Sequence, residues 1–304
     1  MDRHILLAAA ITAIGVAPAL AADVIADPDF PCEGFCAQYN EAQEPFKIFG
    51  DTYYVGTTRL TALLIDTGDG LILLDGGFPA AATVIADNIA ALGYAVEDIA
   101  LIGNSHTHID HVGVIDALQK ASGAPVAASP AAADAMERGH AMPNDPQYRD
   151  TEGYDYPPVS NIRRVSDGET ITVGDTALTA VFTPGHTPGG TSWTWEECED
   201  GECMTVVYAD SLNPISNDTF RYSDNPDYLD AFRTSIARVA AMECDIAIVP
   251  HPELVGLLDK AARINEDGDN PFADPMGCAR YAEMFAENLG RRLAQEEADQ
   301  DQDE

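Results

Sequence analysis

The most informative stretch of this sequence is Ser105-His106-Thr107-His108-Ile109-Asp110-His111. It places a dense group of polar side chains directly after an apolar segment. Three of the seven histidines of the chain lie in it, together with one aspartate. The apolar residues 99–102 predict a short buried strand, and residues 112–121 have helical apolar spacing. Since alternate residues of an extended segment share a face, the first two histidines are predicted to point to the same side.

The chemistry of this run indicates a metal centre. Imidazole and carboxylate groups together suit Zn²⁺ at neutral pH. The run offers more such groups than one catalytic site takes from one segment, and this surplus indicates two adjacent metal positions. A polar loop with solvated histidines is the alternative interpretation, which the apolar strand in front disfavours. The candidate ligands in the run are His106, His108, Asp110 and His111.

Two further histidines follow predicted strands. His186 lies in Thr183-Pro184-Gly185-His186-Thr187-Pro188-Gly189-Gly190, where proline and glycine fix an irregular turn after the strand predicted at 178–182. His251 follows the buried strand predicted at 246–249. Either histidine alone is weak evidence for a ligand. Together with the first run they place five histidines and one aspartate at strand ends, where sandwich folds gather their sites.

The apolar pattern along the chain predicts an α+β fold, a four-layer αββα sandwich in which two sheets pack face to face with helices outside. Thr67-Gly68-Asp69-Gly70 between two apolar runs is a strong hairpin signal. Residues 140–161 lack periodicity and predict a long loop, of a length that is often functional. Strands are predicted at 48–55, 60–65, 71–74, 99–102, 126–128, 162–165, 170–173, 178–182, 191–196, 204–209 and 246–249, and helices at 81–92, 112–121, 131–138, 228–242 and 281–293.

The N-terminus has the three-part layout of a secretory signal. A short polar start that contains Arg3 precedes an apolar run at 5–16, and Ala19-Leu20-Ala21 supplies the small residues of a cleavage site. A buried helix or a membrane anchor is the alternative, for which the run is short. Export after cleavage near Ala21 would make the protein periplasmic or secreted. The predicted segments are a signal peptide at 1–21, an irregular leader at 22–45, one domain at 46–295 and an acidic disordered tail at 296–304.

The formal net charge of −35 argues against whole classes of partner. Nucleic-acid phosphates and anionic membrane surfaces are bound by Lys and Arg, and the chain has 16 of these against 51 Asp and Glu. We interpret the acidity as an adaptation for solubility, with attraction of a cationic substrate as the alternative. The expected partner is a small-molecule substrate, with no nucleic acid and no membrane, and we expect a monomer.

Six cysteines allow 15 pairings, among which sequence alone does not choose. Export makes disulfides possible. A zinc knuckle is the competing interpretation of the two close pairs, although their spacings are C-x3-C and C-x4-C with no histidine nearby. The order along the chain suggests the pairs Cys32 with Cys36, Cys198 with Cys203, and Cys244 with Cys278.

These motifs resemble those of the metallo-β-lactamase superfamily over residues 46–295, which implies the metallo-β-lactamase fold. The H-x-H-x-D-H run is specific to that superfamily but not to one substrate, because glyoxalase II-like thioesterases, lactonases, nucleases and sulfur dioxygenases share it. The matching pieces are Asp75-Gly76-Gly77, the runs at 106–111 and 183–190, Ala209-Asp210-Ser211, and His251.

The stretches at 186–195, 208–214 and 250–253 resemble class B, subclass 3 (B3) metallo-β-lactamases, as does the intact H-x-H. That group is exported and often has a disulfide near the positions of Cys244 and Cys278. It commonly has serines at the positions of Ser211 and Asn213, which help to hold the substrate carboxylate, so Asn213 is a departure. The resemblance implies two Zn²⁺ ions, one held by His106, His108 and His186 and the other by Asp110, His111 and His251.

The reaction that the resemblance implies is hydrolysis of the β-lactam amide bond by a hydroxide shared between two zinc ions, which inactivates β-lactam antibiotics. Asp110 is expected to orient that hydroxide. Asp75 and Asp210 are expected behind the ligand histidines, although a plain turn residue is the alternative for Asp75, and an aspartate near Asp210 bridges both metals elsewhere in the superfamily. The alternative functions are another dizinc hydrolase, such as a lactonase or thioesterase, and a non-catalytic metal-binding protein.

Overall fold

The computed structural model describes residue 30 and residues 32–149, 155–264 and 270–303. The predicted signal peptide at 1–21 and part of the predicted leader lie outside these residues. Among the described helices, none combines the length and the apolar character that a membrane span requires.

Seven strands form the first sheet in their order along the chain. The first four strands pair antiparallel, and the fourth to seventh pair parallel. Parallel neighbours need crossover connections, and helices supply them. The strands are β1 (Phe46–Phe49), β2 (Thr52–Tyr54), β3 (Leu63–Asp66), β4 (Leu71–Leu74), β5 (Ile99–Gly103), β6 (Val126–Ala128) and β7 (Ile162–Arg164).

Five strands form the second sheet, in the order β12-β11-β10-β9-β8. β10 pairs antiparallel with both β9 and β11, and β12 joins β11 in parallel. β9, β11 and β12 therefore run in one direction, so the segments that follow them emerge at the same edge of the sheet. The strands are β8 (Thr170–Val173), β9 (Thr176–Phe182), β10 (Thr191–Glu199), β11 (Glu202–Tyr208) and β12 (Ile246–Ile248).

Helices cover the outer faces of both sheets. Short 3-10 turns at Pro79–Ala81, Val96–Asp98 and Pro252–Val255 connect some of them to strands. The helices are α1 (Phe35–Tyr39), α2 (Ala82–Ala91), α3 (Ile109–Val112), α4 (Ile115–Ser122), α5 (Pro130–Arg138), α6 (Pro226–Ala240), α7 (Leu257–Ala261) and α8 (Gly277–Asp303).

The alternation of side chains along the strands builds the four layers. In β3, Leu63 and Ile65 pack in the core between the sheets, whereas Leu64 packs under the helices of the first sheet. Trp193 and Trp195 of β10 fill the core between the sheets and are fully buried. The αββα sandwich predicted from the sequence is therefore confirmed.

The C-terminal segment corrects one prediction, because α8 continues to Asp303 where a disordered tail was expected from residue 296. The reason is Glu296, which is buried at 3% exposure. Its carboxylate accepts hydrogen bonds from the backbone N–H groups of Tyr222 and Ser223 and pairs with Arg292. An acidic composition predicted solvation, but these contacts anchor the helix to the loop before α6.

Three disulfides tie chain segments that the secondary structure brings together. They join Cys32 to Cys36 in the leader, Cys198 to Cys203 across the β10–β11 hairpin, and Cys244 to Cys278 between the start of β12 and α8. These are the pairs that the order of the cysteines suggested. The leader is also less irregular than expected, since α1 lies within it.

Candidate metal centre

The segment after β5 is fixed by a buried carboxylate. Asp75 follows β4, is fully buried, and has a left-handed backbone (φ 56°), which is uncommon for a residue with a side chain. Its carboxylate accepts hydrogen bonds from the side chains of Asn104, Ser105 and Tyr208 and from the Ser105 backbone N–H. Asp75 therefore holds the residues immediately before the histidine run, and it lies 3.7 Å from His111 Nδ1.

Three histidines form a first group, which we call the histidine triad: His106, His108 and His186. One ring nitrogen from each lies within 4.8 Å of the others. His108 Nδ1 and His186 Nε2 are 3.1 Å apart. The chain brings residues about 80 positions apart into this contact because the turn after β9 faces the segment after β5.

A second group, the mixed triad, consists of Asp110, His111 and His251, again with one donor atom each within 4.8 Å of the others. Asp110 Oδ2 lies 3.4 Å from His111 Nε2 and 3.8 Å from His251 Nε2. Asp110 and His111 occupy the first turn of α3, and His251 follows β12. The rings of His106 and His111 are 4.2 Å apart at their centroids, so the two triads are adjacent.

The two triads fit metal ions. His106 Nε2 is buried and has no hydrogen-bond partner among the described residues. A buried polar atom without a partner is costly, and a cation bound there would remove that cost. Three imidazoles in one group, and two imidazoles with a carboxylate in the other, are donor sets that Zn²⁺ accepts.

The protonation states of three of the grouped histidines suit metal binding. Burial lowers the pKa of His106 well below its usual range, that of His186 to about 3 and that of His251 to about 4. These rings are therefore neutral at pH 7 and have a free lone pair. Burial opposes ionisation of Asp110, but the charge of His111 and its hydrogen bond to Asp110 outweigh burial and hold the pKa of Asp110 well below its usual range.

Asp210 lies behind the histidine triad and is not one of the grouped ligands. Its Oδ1 is 2.9 Å from Nδ1 of His106, on the opposite side of the ring from Nε2. Asp210 is fully buried, and burial raises its pKa well above its usual range. A Cβ at residue 190 would lie 2.3 Å from Asp210 Oδ2, which explains the glycine at Gly190.

The segment after β11 contributes a backbone contact that the sequence did not predict. The carbonyl oxygen of Asn213 accepts a hydrogen bond from His186 Nδ1 at 2.7 Å. Asn213 also lines the cavity described below, whereas Ser211 is buried at 2% exposure. The Ser211 hydroxyl accepts a hydrogen bond from the Asn213 backbone N–H at 3.5 Å. The structure thus places Asn213 at the cavity and Ser211 behind it.

The ligands open into a cavity of about 580 Å³. One side is an aromatic wall that consists of Phe30, Phe35, Tyr39 and Phe78, whose rings contact one another. Phe35 is 59% exposed. The sequence did not predict this wall. Its three aromatic residues in the leader, Phe30, Phe35 and Tyr39, lie four or five positions apart and could have indicated it.

The long loop between α5 and β7 forms the other side of the cavity, through His140, Ala141, Gln147, Arg149 and Asp155. The described part of this loop also reaches the histidine triad. Its residue Asp145 lies 3.2 Å from His108 Nε2, a contact that sequence reasoning did not find.

Comparisons with known proteins agree with this geometry. Residues 56–199 match the family model of the metallo-beta-lactamase superfamily. MEM-A1, a subclass B3 metallo-beta-lactamase from a soil metagenome library, is 45% identical; the alignment covers 86% of this chain and 99% of that chain with a TM-score of 0.83. The Rm3 metallo-beta-lactamase is 42% identical, over 88% of this chain and 100% of that chain, with a TM-score of 0.84.

A third similar structure is BJP-1, a subclass B3 metallo-beta-lactamase of Bradyrhizobium japonicum. It is 35% identical, over 86% of this chain and 97% of that chain, with a TM-score of 0.80. All three alignments span nearly the whole length of the similar protein and at least 86% of this chain. The chain therefore belongs to the subclass B3 metallo-beta-lactamase family.

Proposed function

We propose that this protein is a zinc-dependent hydrolase that opens the amide bond of β-lactam antibiotics and uses two Zn²⁺ ions. The observation that carries the proposal is the convergence of six candidate metal ligands in two adjacent triads, of which all but His111 line one cavity. Membership of the B3 family supports the substrate class, because the similar proteins MEM-A1 and BJP-1 are named as metallo-beta-lactamases.

His106, His108 and His186 would hold one zinc ion, and Asp110, His111 and His251 the other. When bound, zinc supplies a Lewis acid for the lactam carbonyl oxygen and makes water nucleophilic at neutral pH. The neutral rings and the ionised carboxylate described above are the states in which these side chains bind metal.

Asp110 is the catalytic carboxylate of this proposal. It is ionised, and its side chain is 19% exposed toward the cavity. It accepts a hydrogen bond from the attacking water and directs that water at the carbonyl carbon. The neighbouring His111 side chain favours its ionised form.

Two features of the cavity fit a β-lactam substrate. The Asn213 amide can donate a hydrogen bond to the substrate carboxylate. The aromatic wall offers apolar surface for the side chain attached to the lactam ring.

The test is hydrolysis of a panel of penicillins, cephalosporins and carbapenems, with and without a chelator, beside lactone and thioester substrates. We expect β-lactam hydrolysis that the chelator abolishes and added zinc restores. Turnover of only the lactone or the thioester would overturn the proposal in favour of another dizinc hydrolase. Two bound zinc ions without any hydrolysis would favour a metal-binding protein without catalysis.

We also propose that the protein is exported. The pairing of all six cysteines in disulfides supports this, because such bonds persist in oxidising compartments and are rare in the cytosol. Mass spectrometry of the protein recovered from the periplasm or medium tests it. A mature chain that begins just after Ala21 is expected, and retention of residues 1–21 in the cytosol would contradict it.

A further inference from the structure

Asp145 places a buried carboxylate next to one ligand of the histidine triad. Its side chain is 1% exposed, and its Oδ1 lies 3.2 Å from Nε2 of His108. The other ring nitrogen, Nδ1, faces His186 at 3.1 Å. Nε2 of His108 therefore faces a carboxylate of the long loop, whereas Nδ1 faces His186 of the triad and, at 3.4 Å, the side-chain amide of Gln147.

The carboxylate of Asp145 is held in place by its own turn. Its Oδ1 also accepts a hydrogen bond from the Gln147 backbone N–H at 2.8 Å. The Asp145 backbone N–H donates to the Met142 carbonyl, and its carbonyl accepts from the Tyr148 N–H. A buried carboxylate is costly unless it is paired. The pairing here is to a metal ligand, which gives the carboxylate a function beyond the turn.

A second segment fixes this turn from outside. The Asn217 backbone N–H donates to the Pro146 carbonyl at 2.7 Å, and its Nδ2 donates to the Tyr148 carbonyl at 2.6 Å. The same segment contains Asn213, whose carbonyl accepts from His186. Residues 213–217 thus support two ligands, His186 directly and His108 through the turn that contains Asp145.

We propose that Asp145 is a positioning residue for the metal centre. A neutral imidazole has one N–H, and the hydrogen bond at one nitrogen decides which nitrogen is free for metal. The Asp145 carboxylate accepts a hydrogen bond from the Nε2–H of His108, so the lone pair of Nδ1 points toward the triad. Its negative charge also makes the ring a better electron donor. This inference rests on the proposed function only in requiring that the histidine triad binds metal.

The experiment measures Zn²⁺ affinity of the full-length mature protein by competition with a chromophoric chelator. We expect Asp145→Ala to lower the affinity for one of the two zinc ions about 10- to 100-fold, the usual range when a partner of a ligand histidine is removed. Asp145→Asn keeps an acceptor for the His108 N–H but lacks the charge, so we expect an intermediate loss. Asn144→Ala, at an exposed residue of the same turn, is the matched control and is expected to bind zinc like the wild type.

A loosened loop is the competing explanation, and Asn217→Ala tests it because it removes the side-chain hydrogen bond to the Tyr148 carbonyl without removing the Asp145 carboxylate. We expect Asn217→Ala to raise protease sensitivity of the loop while it weakens zinc less than Asp145→Ala does. Equal zinc loss in both variants, or unchanged affinity in Asp145→Ala, would overturn the inference. The affinity readout needs no β-lactam turnover, so a wild type that binds zinc without hydrolysis would overturn the proposed function alone.

Discussion

The two triads differ in how the fold supports them. Each histidine of the histidine triad has a partner on its other nitrogen: Asp210 for His106, Asp145 for His108 and the Asn213 carbonyl for His186. In the mixed triad, Asp75 is 3.7 Å from His111 Nδ1, and that nitrogen has no hydrogen bond in the described structure. Asp110 and His251 are 19% and 22% exposed, against 1% for His106.

From this difference we expect the two triads to have different roles, one in tight metal binding and the other in contact with water and substrate. The histidine triad is oriented before metal arrives, and its members His106 and His186 are buried, so little order is lost on binding and we expect it to bind zinc more tightly. In the mixed triad, Asp110 and His251 line the cavity and the group has fewer supports, so we expect it to contact water and substrate.

The largest effect is expected from His106→Ala compared with His251→Ala. His106→Ala removes a candidate ligand of the histidine triad that is only 1% exposed, and we expect it to lose the tighter zinc and to lower kcat/KM by more than about 100-fold, beyond the usual effect of outer partners. His251→Ala should keep one zinc per chain. Zinc content and kinetics measure this, with thermal unfolding of the metal-free proteins as the control for folding. The reverse pattern of zinc loss would refute the contrast.

Asp210→Asn and Asp75→Asn separate the supports of the two triads. Asp210→Asn replaces the carboxylate that contacts His106 Nδ1 by an amide, and we expect the histidine triad to bind zinc about 10- to 100-fold more weakly. Asp75 holds Asn104 and Ser105, which precede His106. Asp75→Asn should therefore lower the melting temperature more, and the zinc affinity less, than Asp210→Asn does. Zinc competition and thermal unfolding of both variants provide the comparison. A larger zinc loss in Asp75→Asn would show that the mixed triad has the stronger support.

Acid should destabilise the metal-free protein through its neutral histidines. His186, with its pKa near 3, and His251, near 4, stay neutral in the fold, whereas histidines of the unfolded chain bind protons below about pH 6.5. The unfolded state then holds more protons, so the free energy of unfolding falls between about pH 6.5 and pH 4. The slope is about 1.4 kcal/mol per pH unit for each such histidine.

His111 behaves differently in the same experiment. Burial lowers its pKa, but Asp110 and Asp75 outweigh this and raise it, so its stabilisation is complete below about pH 6.5 and is lost only as the pH rises. Urea unfolding of metal-free protein at several pH values measures the slope. His186→Ala should flatten it. A free energy of unfolding that does not change between about pH 6.5 and pH 4 would contradict the prediction.

The smallest effect is expected at the aromatic wall. Phe35→Ala removes an exposed ring, and an aromatic contact is worth about 0.5–1.5 kcal/mol. We therefore expect KM to rise several-fold for β-lactams with an aromatic side chain, with kcat nearly unchanged. Met276→Ala, at another exposed apolar residue outside the cavity, is the matched control. An equal change for substrates with and without an aromatic side chain would speak against this contact.

Much of the fold and the identity of the grouped side chains followed from local patterns. Apolar alternation and helical spacing predicted the two sheets and their helices, because both depend on neighbours a few residues apart. The tail after residue 295 was predicted wrongly, since composition does not reveal that Glu296 meets two backbone N–H groups near residue 222. Zinc binding by the six side chains and their roles remain predictions for the experiments above.

The sequence by itself determined which residue types stand at strand ends: the H-x-H-x-D-H run, the histidine in its proline–glycine turn, and the histidine after the last strand. Only the tertiary structure decided how they divide into two triads, and that Asp145, Asn213 and the aromatic wall adjoin them. The two kinds of feature differ in how far apart along the chain the interacting residues lie. Strand and turn preferences act between near neighbours, whereas the contact of His108 with residues 145 and 186 depends on the order and direction of whole strands.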